Sequence, residues 1–129
     1  MANSRRNRDQ GLRGQRDAVE ALKTWGLPAQ VLAEQGRNDE PDVEVYDRDG
    51  ARWVVECKRA QRVAVRSVLV QATGKGGGVP AVWWQPVTPP RGKSGMRIAD
   101  GPPLAVVWGH DLAALMHTPE GRNTNEGEP

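Results

Sequence analysis

Cysteine is almost absent from this 129-residue chain: Cys57 stands alone. No internal disulfide can form, and nothing in the cysteine usage marks an oxidising compartment. No apolar run is long enough to span a bilayer, and the chain shows no charged, apolar, small-residue order of a secretory signal. Histidine is scarce as well. His110 and His117 lie seven apart with no cysteine nearby, which argues against a zinc site. Cys57 has no evident partner for a nucleophilic triad. Gly92-Lys93-Ser94 looks like the end of a phosphate-binding loop, but Val87 stands where that loop needs glycine and Pro89-Pro90 spoils the turn. Internal repeats are lacking. Isoleucine is scarce while arginine outnumbers lysine, a composition that fits a GC-rich genome, bacterial or phage. These absences lead to the expectation of a soluble, cytoplasmic protein of a bacterium or a phage-infected cell.

What is present suffices for one compact domain with a modest core, since 37% of the residues are hydrophobic. The net charge is only +2, yet it is unevenly spread. Arg5, Arg6, Arg8, Arg13 and Arg16 crowd the first segment against Asp9 and Asp17, while Glu120, Glu126 and Glu128 dominate the last. We therefore divide the chain into a basic flexible arm (1–10), a folded domain (11–118) and a disordered acidic tail (119–129). A basic arm suits a phosphate backbone, and equally suits a solvated leader.

Hydrophobic spacing predicts a helix from about Leu12 to Trp25, with Leu12, Ala18, Val19, Leu22 and Trp25 on one face and Gly26 and Pro28 ending it. Residues 29–33 read as a short strand. Val43 and Val45 belong to a strand that turns at Asp47-Arg48-Asp49-Gly50 and returns over 51–58. A second helix is expected from about Val63 to Thr73, although its valines oppose it. Gly74 to Gly78 ends that helix, and Gly76-Gly77-Gly78 reads as a flexible joint. Residues 79–84 and 104–108 read as buried strands separated by a long Pro/Gly-rich loop from Pro86 to Pro103. A short helix from Asp111 to His117 closes the domain. The order α-β-β-β-α-β-β-α predicts an α/β fold, a mixed sheet flanked by helices.

The stretch from Pro41 to Lys58 carries the chemistry. Side chains alternate across a strand, so Glu56 and Lys58 share one face with Val54, while Trp53, Val55 and Cys57 share the other. The tight turn folds Asp42 back beside the end of the return strand. Two carboxylates and an ammonium group then converge. A Glu-X-Lys pair alone is often a surface ion pair worth little; Asp42 across the hairpin is what gives it a use. Mg²⁺ takes oxygen ligands and keeps several waters, so one or two carboxylates and a substrate phosphate hold it. The metal would polarise a phosphodiester and activate water, with Lys58 orienting that water or neutralising phosphate charge. The backbone carbonyl of Cys57 is a candidate further ligand.

Pro41-Asp42 followed by Glu56-Cys57-Lys58 resembles the motif of the PD-(D/E)XK nuclease superfamily over roughly residues 12 to 116. Length and element order look most like archaeal-type and phage Holliday junction resolvases. The resemblance implies a restriction-endonuclease-like fold, Mg²⁺ or Mn²⁺ dependence, a homodimer, and paired nicks in branched DNA. It implies Asp42 and Glu56 as metal ligands and Lys58 as the catalytic lysine. Nucleases of flaps, forks or duplex DNA, and a non-catalytic DNA-binding protein on the same fold, are the alternatives. Those resolvases carry a metal-binding glutamate on the first helix. Aligned backward from Gly26, that position is Gln15, which falls within the apolar face, whereas Glu20 falls on the opposite one. Gln15 is thus either a site residue or a glutamine at the edge of the core. Gln71 lies where related nucleases place a polar residue on the next helix, and reads either as a site residue or as a solvent-facing one. Arg13, Arg16, Arg59, Arg62, Arg66, Arg91 and Lys93 are candidate phosphate contacts.

Overall fold

A computed structural model describes the backbone of residues 2–11 and all atoms of 12–32, 42–75, 77–88 and 98–117. Pro41, Arg91 and Lys93 lie outside the described residues, as does the expected tail. The elements are α1 (Ala2–Thr24), β1 (Ala29–Val31), β2 (Val43–Tyr46), β3 (Arg52–Ala60), α2 (Val65–Thr73), β4 (Val79–Pro86), β5 (Leu104–Val106) and α3 (Gly109–Met116). This is the α-β-β-β-α-β-β-α order expected, in a mixed five-stranded sheet ordered β1-β2-β3-β4-β5. β3 and β4 run parallel across the α2 crossover, and all other pairs are antiparallel. Among the described residues, no helix is long and apolar enough to cross a membrane.

The period-3.6 stripe of α1 lies on one sheet face. Ala18 and Leu22 pack against Ala29, Val43, Val45, Val55, Cys57 and Ala81. The stripe of α2 lies on the other face, where Val68 and Leu69 pack with Val82. Burying Val68 there offsets its poor helix propensity, while Val70 stays exposed. Both tryptophans of β4 are packed, Trp83 on the α1 side and Trp84 on the α2 side, as alternation along a strand requires.

Helix α1 ends in a left-handed cap at Gly26, whose φ is +90°. Gly26 N–H donates to Lys23 O and Leu27 N–H to Leu22 O, at 2.9 and 3.0 Å. That is the Schellman arrangement, closed by the apolar Leu27 next to Leu22. The β2–β3 turn is held by Asp47. Its Oδ1 accepts from the N–H groups of Asp49 and Ala51, and its Oδ2 from the Trp53 indole at 2.9 Å. Gly50, at φ +85°, completes the turn where a side chain would be strained.

Several boundaries differ from expectation. α1 starts at Ala2 and not near Leu12, so the segment expected as a flexible arm is helical in backbone; the polar residues there lack a core-facing stripe but are not helix breakers. α2 starts at Val65, two residues late. Trp25 is 64% exposed beyond the end of α1, not part of its buried face. It leans on Trp83 with ring centroids 6.0 Å apart. Gly78 is not a loose joint: a Cβ there would stand 2.9 Å from both Arg52 O and Val54 Cγ1. The chain passes that point because glycine has no side chain. The Pro86–Pro103 loop is also pinched at its base. Val87 bridges Ala99, Thr88 N–H donates to Ile98 O at 2.8 Å, and Asp100 N–H to Pro86 O at 2.9 Å.

Candidate active site

The β2–β3 register sets the site. Val43 pairs with Val55, which places Asp42 level with Glu56, one residue before β2 begins. The Asp42 carbonyl is anchored by Leu32 N–H at 2.8 Å. Two hydrogen bonds then lock the acids together. Cys57 N–H donates to Asp42 Oδ2 at 2.8 Å, and Asp42 N–H donates to Glu56 Oε2 at 3.3 Å. In an extended strand, the N–H and C=O of one residue point to the same lateral side. The Cys57 carbonyl therefore lies on the Asp42 side too, beyond the end of β2.

Glu56 is buried and Asp42 half-buried. Burial pushes the Asp42 carboxyl above its usual range, against the Cys57 N–H bond and the positive charges of Lys75 and Lys58, which pull it down. Glu56 is raised by burial and by the charge of Asp42, with Lys75 opposing. Two carboxylates crowded into a low-dielectric corner both resist ionisation. A cation between them would relieve that cost.

A second lysine completes the cluster. Lys75 Nζ stands 3.2 Å from Glu56 Oε1, with side chains only 17% and 4% exposed. Lys75 acts on both acids, and Lys58 on Asp42. Lys58 shares the Glu56 face by alternation and pairs in register with Trp84 of β4. The motif reading of β3 does not reach Lys75. Its one sequence signal is that it is the sole charged residue in the glycine-rich link from α2 to β4.

Gln15, not Glu20, faces the sheet. It is 7% exposed, and its Oε1 is buried without a hydrogen-bond partner among the described residues. Glu20 is exposed. Gln15 lies one turn before Ala18, where α1 approaches β3 closely: a Cβ on Gly14 would stand 3.4 Å from Arg59 Cβ. A buried, unpaired amide oxygen is costly unless something accepts its lone pairs. Among the described residues, no three His, Cys, Asp or Glu side chains cluster. A divalent ion here would rest on Asp42, Glu56 and a neutral oxygen, the Cys57 carbonyl being the candidate, while Gln15 approaches from the α1 side of the sheet, opposite to the face that Glu56 takes. All are hard oxygen donors, and such a set fits Mg²⁺ or Mn²⁺.

Other candidates fall elsewhere. Gln71 is exposed, off the Val68–Leu69–Ala72 face of α2. Arg13 pairs with Asp17 at 3.9 Å on the outer face of α1, where Arg16 is also exposed. Arg59 is half-buried against α1. Arg62 is exposed after β3, and the Arg66 guanidinium lies 5.8 Å from the Trp108 ring centroid. The Cys57 thiol is buried in the α1-side core and pushed well above its usual range by burial and by the two acids. That leaves it protonated and unsuited to nucleophilic work. No protein-family model matches the chain, and no curated protein matches it significantly.

Proposed function

We propose that this protein is a metal-dependent endonuclease of the PD-(D/E)XK type, on a restriction-endonuclease-like fold, that hydrolyses phosphodiester bonds in branched DNA as a homodimer. One observation carries the reading: Asp42 and Glu56, delivered by adjacent strands, are locked to each other through Cys57 N–H and Asp42 N–H, with lysines at hand. Asp42, Glu56 and the Cys57 carbonyl would hold Mg²⁺ or Mn²⁺, which supplies Lewis acidity and a water of lowered pKa. Lys58, on the Glu56 face, is suited to meet the phosphate or orient the attacking water. Gln15 would turn its unpartnered oxygen toward the metal or its water. Exposed Arg62 and Arg66, next along the chain, are suited to flanking phosphates.

A homodimer suits a two-fold substrate such as a four-way junction. An apolar groove on the α1 side supports it, lined by Leu22, Trp25, Trp53, Trp83, Val107 and Leu115 among others. α3 beside it buries no residue and exposes Leu112, Leu115 and Met116 at helical spacing. Ridge and groove on one face allow a second copy to dock reciprocally.

The test is cleavage of four-way-junction, flap, duplex and single-stranded DNA with Mg²⁺ or EDTA. We expect Mg²⁺-dependent nicking of branched DNA, abolished by Asp42→Ala and slowed about 100-fold by Lys58→Ala. No Mg²⁺-dependent cutting of any substrate rejects the enzyme; cutting that survives Asp42→Ala rejects the site.

A further inference from the structure

Lys75 stands apart from the motif. It comes from the link after α2, and its approach to β3 is fixed on both sides. Lys75 N–H donates to Ala72 O at 3.1 Å, tying it to the helix end. Three residues on, Gly78 squeezes past Arg52 and Val54. Nζ is thereby held 3.2 Å from Glu56 Oε1 in a nearly buried pair.

We propose that Lys75 is a built-in stand-in for the metal: it occupies Glu56 in the metal-free protein, and a divalent cation must displace it to bind. This deepens the nuclease reading and rests on it. A metal ion and an ammonium group cannot share Glu56 Oε1 at contact distance, because like charges repel strongly where water is scarce. The lysine thus compensates Glu56 without metal, and its displacement makes metal binding weaker than the carboxylates alone would give. The released ammonium needs another anion, and a bound phosphodiester is the one this reaction brings. Lys75 is a positioning residue for Glu56 in the absence of metal.

Two measurements on the full chain test it. The first is Mn²⁺ affinity by calorimetry for wild type, Lys75→Met and Lys75→Arg. Lys75→Met should bind Mn²⁺ about tenfold more tightly, the effect one neighbouring charge has on a carboxylate's proton affinity. Lys75→Arg should stay near wild type. The second needs no variant: acylation of wild-type lysines by acetic anhydride, read by mass spectrometry. Lys75 should react slowly without metal and several-fold faster with Mg²⁺, while exposed Lys23 stays constant. Should Lys75→Met not fold, the acylation result decides. Mn²⁺ binding by wild type with unchanged or weaker affinity in Lys75→Met, or with Lys75 acylation unmoved by Mg²⁺, overturns the displacement and leaves the nuclease reading standing. A wild type that binds no Mn²⁺ at all overturns both.

Discussion

Asp42 and Asp47 sit five residues apart and respond to folding in opposite ways. Asp47 accepts three hydrogen bonds in the turn, and its carboxyl is pulled down, first by the Trp53 indole. Asp42 is pushed up, chiefly by burial. The consequence for pH has opposite signs. A raised folded-state pKa means that the fold prefers the protonated acid, so this contribution to stability is present below the ordinary carboxylate range and is lost as pH rises through the raised pKa. Asp42→Asn keeps an oxygen for the Cys57 N–H and removes the charge. It should raise the thermal midpoint of the metal-free protein at neutral pH, with the gain vanishing at acid pH; circular dichroism melts across pH check this. A variant less stable than wild type at neutral pH would show that the Asp42 charge is already compensated. On the proposed reading, a carboxylate that costs the free fold stability is kept for the cation it would hold.

At the scale of elements, the β2–β3 hairpin decides whether the acids meet, because a one-residue slip would send Glu56 to the α1 face. Asp47 pins that register. Asp47→Ala should cost about 1–2 kcal/mol of unfolding free energy in urea titrations. Since its pKa is lowered by folding, the difference from wild type should shrink as pH falls through that lowered value. The hairpin, and with it the convergence of Asp42 and Glu56, was legible in the sequence because Asp-Arg-Asp-Gly is a strong turn signal and Val43 and Val45 alternate with polar residues. Gln15 was legible as sheet-facing from helical spacing alone. Lys75 was not, since its position depends on a path through glycines that only the close pass at Gly78 fixes. The exposure of Trp25 was equally hidden: helical spacing puts it in the stripe, but the cap at Gly26 ends the helix first. The bridge between Val87 and Ala99 lacked any local signal, being a pairing between the two ends of a loop.

For the whole molecule, the unbalanced feature is the α1-side face. α1 covers β1 to β3, while Trp83, Val107 and the α3 stripe border an apolar groove with little over it. Exposed apolar surface of this kind marks an association site. Leu115→Glu should convert a dimer to a monomer in sedimentation experiments at micromolar protein and leave the far-ultraviolet spectrum unchanged; a wild type that sediments as a monomer would reject the dimer. Metal binding should survive that change, because Glu56 turns to the opposite face of β3 from Trp53 and Val55, which line the groove. The geometry of the centre also bears on its inheritance. Asp42, Glu56, Lys58 and Lys75 all come from one uninterrupted stretch, from the residue before β2 to the link after α2, and of the proposed metal-site residues only Gln15 lies outside it. On the proposed reading, recombination would move nearly all of the reactive apparatus as a single cassette, without the helices and strands that flank it.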